Sequence, residues 1–169
     1  MNTTGGGSTP LEIAQAETRA AFENRALIYL NLYQTLAAEL GPEQAIELMR
    51  SAIYDRGVEI SEKYREAAED GDLEEIGEIF CEGSPCGGAL FEPGVEAVGT
   101  SRILLRMTAC PLVETWREHG VPEYEIDVLC RIASAVDEGT FEGAGLDIEI
   151  TERLGEPESE RCLLDIRLR

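Results

Sequence analysis

The chain has 169 residues, with 34 Asp and Glu against 14 Lys and Arg, a formal net charge of −20. So acidic a surface has nothing to neutralise a phosphate backbone or an anionic bilayer, which excludes nucleic acid and membrane as partners. At 43% hydrophobic the sequence is too apolar for a disordered acidic tail, and its length fits one domain with its own core.

Residues 1–8 carry neither the basic start nor the apolar centre of a signal peptide and are expected to be a flexible lead-in to a single domain over 9–169. No stretch approaches the ~20 apolar residues of a membrane span. Thr9-Pro10-Leu11-Glu12 is a helix start, with Thr at the N-cap, Pro in the first turn and Glu closing a capping box. Phe22, Ala26, Leu30, Tyr33 and Leu40 follow at helical spacing until Gly41. Pro42 opens a second helix whose stripe is Ile46, Met49, Ile53, Ile60 and Tyr64, with Gly57 as a tolerated weak point. Asp72 caps a third, predicted to run to about Phe80. Residues 9–81 therefore form a helical part with acidic outer faces, and these long helices are a candidate surface for homo-oligomers.

The character changes after Cys81. Gly83 to Gly88 reads as a loop, and Glu92-Pro93-Gly94-Val95 as a turn. From Thr100 the pattern alternates with period two: Ser101, Ile103, Leu105 and Met107 on one face, Arg102, Leu104, Arg106 and Thr108 on the other. A short helix is predicted from Pro111 to about His119, and another from Pro122 to about Asp137. Two further strands alternate around Leu146, Ile148 and Ile150, and around Cys162, Leu164, Ile166 and Leu168. Helices grouped ahead of a small antiparallel sheet with an inserted helix pair, over 88–169, describe an α+β fold.

Phosphate loops, dinucleotide fingerprints and nucleophile elbows are absent, and one histidine allows no two-histidine metal site. Five scattered cysteines, an odd number, fit a reducing cytoplasm better than a disulfide framework. Cys110 ends a strand and precedes Pro111, at the N-cap of a helix, where backbone N–H groups and the helix dipole favour a thiolate. It is the candidate nucleophile, against the alternative of a small buried hydrophobe at a tight junction. Cys130 and Cys162 neighbour apolar residues and are core candidates singly. With Cys110 they are also candidates for one thiolate cluster, which would favour zinc or copper, yet intervals of nineteen and thirty-one residues match no compact zinc module, so the expectation is no cofactor, with zinc on the cysteines as the weaker alternative. Cys81 and Cys86 read as unreacted loop thiols, against the alternative of a redox pair or a metal clip. Glu114 follows Cys110-Pro111 by one helical turn and is a candidate proton carrier. Arg102 and Arg106 are candidate contacts for a substrate carboxylate, against pairing with surface acids. His119, at a helix C-terminus, suits dipole compensation.

Met107-Thr108-Ala109-Cys110-Pro111-Leu112, Gly120-Val121-Pro122-Glu123, Leu129-Cys130, Phe141 and Glu160-Arg161-Cys162-Leu163-Leu164 form an ordered set that resembles the L-2-amino-thiazoline-4-carboxylic acid hydrolase family. The resemblance implies hydrolytic opening of a cyclic amidine, with Cys110, Cys130 and Cys162 at matching positions. Two departures stand out. The Asp usual three residues after the helix cysteine is Ala133, and Glu160-Arg161 replaces the usual Gly and polar residue. The closing hairpin also resembles vinyl-reductase-type small-molecule-binding domains, which implies a non-catalytic small-molecule- or metal-binding sensor as the alternative. On the enzyme reading Cys110, Cys130 and Glu114 are catalytic candidates, and Arg102, Arg106 and Cys162 substrate contacts.

Overall fold

Thr9 caps the first helix reciprocally: its side chain accepts from the Glu12 N–H at 3.2 Å, and the Glu12 carboxylate accepts from the Thr9 N–H at 2.7 Å. The computed structural model describes residues 8–169, so all of the expected lead-in except Ser8 lies outside the described residues. Helix α1 runs Pro10–Leu40 and α2 Pro42–Ile60. The second helix stops short of Tyr64. A 3₁₀ turn over Ser61–Lys63 and a short α3, Arg65–Asp70, follow until Gly71 turns the chain at φ 69°. Asp72 accepts from the Glu75 N–H at 3.0 Å and starts α4, Leu73–Glu82.

The expected turn at Glu92–Val95 is instead the start of a strand, β1, Pro93–Val98. It is an edge strand, where a proline without an N–H is tolerated. The reversal falls further on, where the Gly99 N–H donates to Arg102 O at 2.7 Å. Strand β2, Arg102–Met107, then leads into α5, Pro111–Glu118, and α6, Glu123–Ala133. The helix expected to reach Asp137 breaks at Ser134, and a separate α7, Ala135–Gly143, follows. Strands β3, Leu146–Glu152, and β4, Cys162–Leu168, complete an antiparallel sheet of order β1-β2-β4-β3. This is an α+β fold. Among the described residues no helix is long and apolar enough to cross a membrane.

Register assigns each sheet face its chemistry. Ile103 pairs with Ile166, Leu105 with Leu164, and Ile148 and Ile150 extend the same apolar face across β3. That face packs on Ile76 of α4 and Phe141 of α7 in one core cluster. Each large aliphatic side chain buried there contributes roughly 1.5–3 kcal/mol. A second cluster gathers Ala26 of α1 with Leu112, Val113 and Trp116 of α5 and Ile126 and Leu129 of α6. The fully buried Trp116 indole N–H donates to Ala26 O at 2.8 Å, so the small alanine on α1 is what admits the ring.

Helices α2 and α7 meet glycine to glycine. A Cβ at Gly57 would stand 2.2 Å from Val136 O, and one at Gly139 2.1 Å from Tyr54 O. Gly57 is therefore the contact that seats α7, rather than the weak point its helix propensity suggests. This close packing holds the first turn of α7, and Asp137 on it, against the body of the protein.

Candidate functional site

A cavity of about 700 Å³ lies between the two core clusters. One wall is α1 and α2, with Tyr29, Ile53 and Ile60; another is α4 and the apolar sheet face, with Ile79, Phe80 and Ile150. At the far end α5, α6, α7 and β4 bring in Cys110, Cys130, Asp137 and Cys162.

The three cysteines arrive from three different junctions. Cys110 is the N-cap of α5, in extended backbone at φ −152° and ψ 111°. Cys130 is buried in the last turns of α6. Cys162 opens β4, where its sulfur accepts from the Leu154 N–H at 3.4 Å. The loop between β3 and β4 folds down on them: a Cβ at Gly155 would stand 2.3 Å from the Cys130 sulfur, so only glycine fits there. Among the described residues no three His, Cys, Asp or Glu side chains are grouped to hold a metal ion, and all five cysteines are unbonded.

The expected thiolate at Cys110 is not met. Burial pushes its thiol up to about 11, and the opposing pull of the Val113 and Leu112 N–H groups is the smaller effect. Burial likewise pushes Cys162 up to about 12 and raises Cys130, each against one backbone N–H. The helix N-terminus loses because the surrounding wall is apolar: desolvating a charge there outweighs the partial charges of a few amides. All three are thiols at neutral pH.

Asp137 is the ionisable group that sequence reasoning missed. Burial, and then the neighbouring Glu138, push its carboxyl up to about 7, while Arg153 opposes them. The residue is half-buried and lines the cavity. Among the described residues no hydrogen bond to its carboxyl stabilises it. Asp137 lies seven residues beyond Cys130 but on a separate helix, so no spacing in the sequence tied the two together. Ala133, where the resemblance led to the expectation of an Asp, also lines the cavity. Tyr64 joins the same lining; its burial and the negative charge of Asp137 raise its pKa and keep it a phenol.

The remaining candidates lie elsewhere. Glu114 reaches α1, where its carboxylate pairs with Arg19 at 2.7 Å, half exposed. Arg102 bonds the fully buried Asp165 at 2.7 Å, and Arg106 faces Glu96 at 3.4 Å. Both arginines stand on the sheet face turned away from the cavity, as their register opposite Arg167 and Leu163 dictates. His119 ends α5 and bonds Thr115 O through Nδ1 at 2.9 Å.

Helices packed around one face of a small antiparallel sheet, with thiols and a lone carboxyl lining one cavity, define an α+β pocket protein. Residues 19–159 match the model of the family described as L-2-amino-thiazoline-4-carboxylic acid hydrolase, and the chain belongs to that family. No curated protein matches it. Among solved structures it is similar to a trafficking protein particle complex subunit 3 from Naegleria fowleri, covalently bound to palmitic acid. The TM-score is 0.58 at 11% identity, over 89% of this chain and 96% of that one. The likeness is one of fold.

Proposed function

We propose that the chain is a small-molecule hydrolase acting on an amidine-type C=N bond, with Asp137 as general base and Cys110, Cys130 and Tyr64 as the hydrogen-bond donors around the reacting atoms. One observation carries the reading: a carboxyl held near pKa 7 inside a cavity, without a hydrogen-bond partner of its own. Such a group is half ionised at neutral pH, which is where a general base works best. Membership of a hydrolase family supports the reaction class.

On a cyclic amidine such as 2-amino-thiazoline-4-carboxylate the step balances with water alone. Asp137 takes a proton from water as the oxygen bonds to the amidine carbon and passes it to the ring nitrogen, whose C=N bond has become single. The adduct's hydroxyl then returns its proton to Asp137 as the C=O forms and the ring carbon–sulfur bond breaks, and Asp137 delivers that proton to the departing sulfur, leaving a carbamoyl amine and a free thiol. Neutral Cys110 and Cys130 suit this role, since a donor thiol polarises the carbon–sulfur bond while a thiolate beside Asp137 would repel the base.

The test is Asp137→Asn assayed for thiol release from 2-amino-thiazoline-4-carboxylate. The wild type is expected to show activity rising with pH through an apparent pKa near 7, and the variant to lose both the activity and that limb. An unchanged profile in the folded variant would remove Asp137 from the reaction. A second reading, a non-catalytic small-molecule sensor, is favoured by the protonation of all three thiols. Tight binding of an amidine without turnover is its signature.

A further inference from the structure

The protein has 14 cationic side chains for 34 acids, so a cation without a partner is an exception. Twelve of the fourteen stand within ion-pair distance of a carboxylate. The two that do not, among the described residues, are Arg25 and Lys63, and both line the cavity.

Their isolation is built into the chain. The positions one helical turn from Arg25 are Ala21, Phe22, Ile28 and Tyr29, which offer no carboxylate, and its guanidinium rests 4.5 Å from the Phe22 ring centroid. Lys63 has Glu59 one turn behind it and Glu66 one turn ahead; Glu59 is taken by Arg56, and among the described residues no ion pair joins Glu66 to Lys63. Both residues are exposed, whereas Asp137 is half-buried. The cavity thus carries unpaired positive charge on exposed residues at one end and, at the other, a carboxyl near Arg153, with Tyr29, Ile53, Ile60 and Phe80 also in the lining.

We infer that this cavity takes a carboxylic acid with an extended apolar body, whose carboxylate sits between Arg25 and Lys63. The orientation is set by charge, because a carboxylate driven inward would meet Asp137, and the Arg153 near it is already paired with Glu156 at 3.6 Å. The size agrees: about 700 Å³ is in the range that encloses a drug-sized ligand and far more than one five-membered ring fills. The inference rests on the cavity being the ligand site of the preceding section, and not on its being catalytic there. It assigns to Arg25 and Lys63 the carboxylate contact that the sequence suggested for Arg102 and Arg106.

Calorimetric titration of the full chain with decanoate, decanamide and decyl phosphate tests it. Decanoate is expected to bind at least about tenfold tighter than decanamide, and the Arg25→Gln/Lys63→Gln double variant to erase that preference while keeping its melting temperature and its decanamide affinity. Equal binding of acid and amide by the wild type overturns the inference, as does a preference that survives in the double variant. Tighter binding of decyl phosphate than of decanoate overturns the carboxylate assignment. The two proposals fail separately. A wild type that opens 2-amino-thiazoline-4-carboxylate but shows no acid preference sinks this one alone. One that binds decanoate selectively but turns over no amidine sinks the hydrolase.

Discussion

The two faces of β2 and β4 hold charge in opposite ways. On the outer face Arg102 and Arg167 both bond Asp165, and Arg161 bridges Glu96 and Glu152 at 2.8 and 3.0 Å. Every charge there has a partner. On the inner face apolar side chains lead to Asp137, which has none, beside thiols that burial keeps protonated. Satisfied ion pairs hold a surface together and have no donors or acceptors to spare. A cavity-lining carboxyl without a hydrogen bond has capacity that only a ligand or water can use. In so acidic a chain, an arginine beside a cysteine in sequence says less than which charges end up unpartnered.

The strongest way to break the contrast is Asp137→Asn. General-base removal should cut turnover by about 10²–10⁴. The same change should stabilise the fold, and the sign follows from linkage. The carboxyl binds its proton up to about pH 7 in the native state and up to only about 4 when unfolded. Stability therefore falls as pH rises between those values, and above 7 the folded protein carries the full penalty of a desolvated charge. The neutral amide avoids it. Melting temperature should rise in the variant at pH 8 and change little at pH 4; equal shifts at both would mean that the carboxyl is not desolvated.

Gly139→Ala tests what holds Asp137 in place. Its added methyl would meet Tyr54 O at 2.1 Å, backbone against backbone, so α2 and α7 must separate. Overpacking of this kind costs typically 1–3 kcal/mol, and a 169-residue protein should lose about 2–4 °C per kcal/mol. A variant that melts with the wild type would show that the helices do not meet there.

These two variants also mark how far the sequence could be read. The capping box at Thr9, the Asp72 cap and the alternation in β2, β3 and β4 are local signals, each carried by contiguous residues, and each forms as read. Strand β1 hid behind Pro93-Gly94, because turn chemistry and an edge strand tolerate the same residues. Gly57 and Gly139 had no local signature at all. Their role exists only because α2 and α7 approach each other across some eighty residues of chain. At the site, the gathering of Cys110, Cys130 and Cys162 along one cavity follows the family motifs, while their protonation does not, since desolvation depends on the walls that close around them. The ion pairs of Glu114, Arg102 and Arg106 are likewise tertiary: Arg19, Asp165 and Glu96 come from other elements.

Cys110→Ser sharpens the inner half of the comparison. If the thiol donates a hydrogen bond in its neutral form, a hydroxyl replaces it in kind, and turnover should fall by about tenfold or less. A nucleophilic thiolate would leave no such residue of activity. Single-turnover assays trapping for a covalent adduct, on wild type and variant, separate the two chemistries.

The smallest effect should come from Arg106→Ala, and it bears on the comparison as a whole. Arg106 is half exposed, pairs with a half-exposed Glu96 at 3.4 Å, and shares that carboxylate with Arg161. An exposed pair contributes about 0–1 kcal/mol, and here Glu96 keeps its second partner, so stability should drop by less than about 1 kcal/mol. Turnover should stay within about twofold, because the sheet itself stands between Arg106 and Asp137. A large rise in KM for a carboxylate substrate would place the anion on the outer face after all. It would move the recognition site from Arg25 and Lys63 to the strand that the sequence first suggested, and the unpartnered charges inside would then need another explanation.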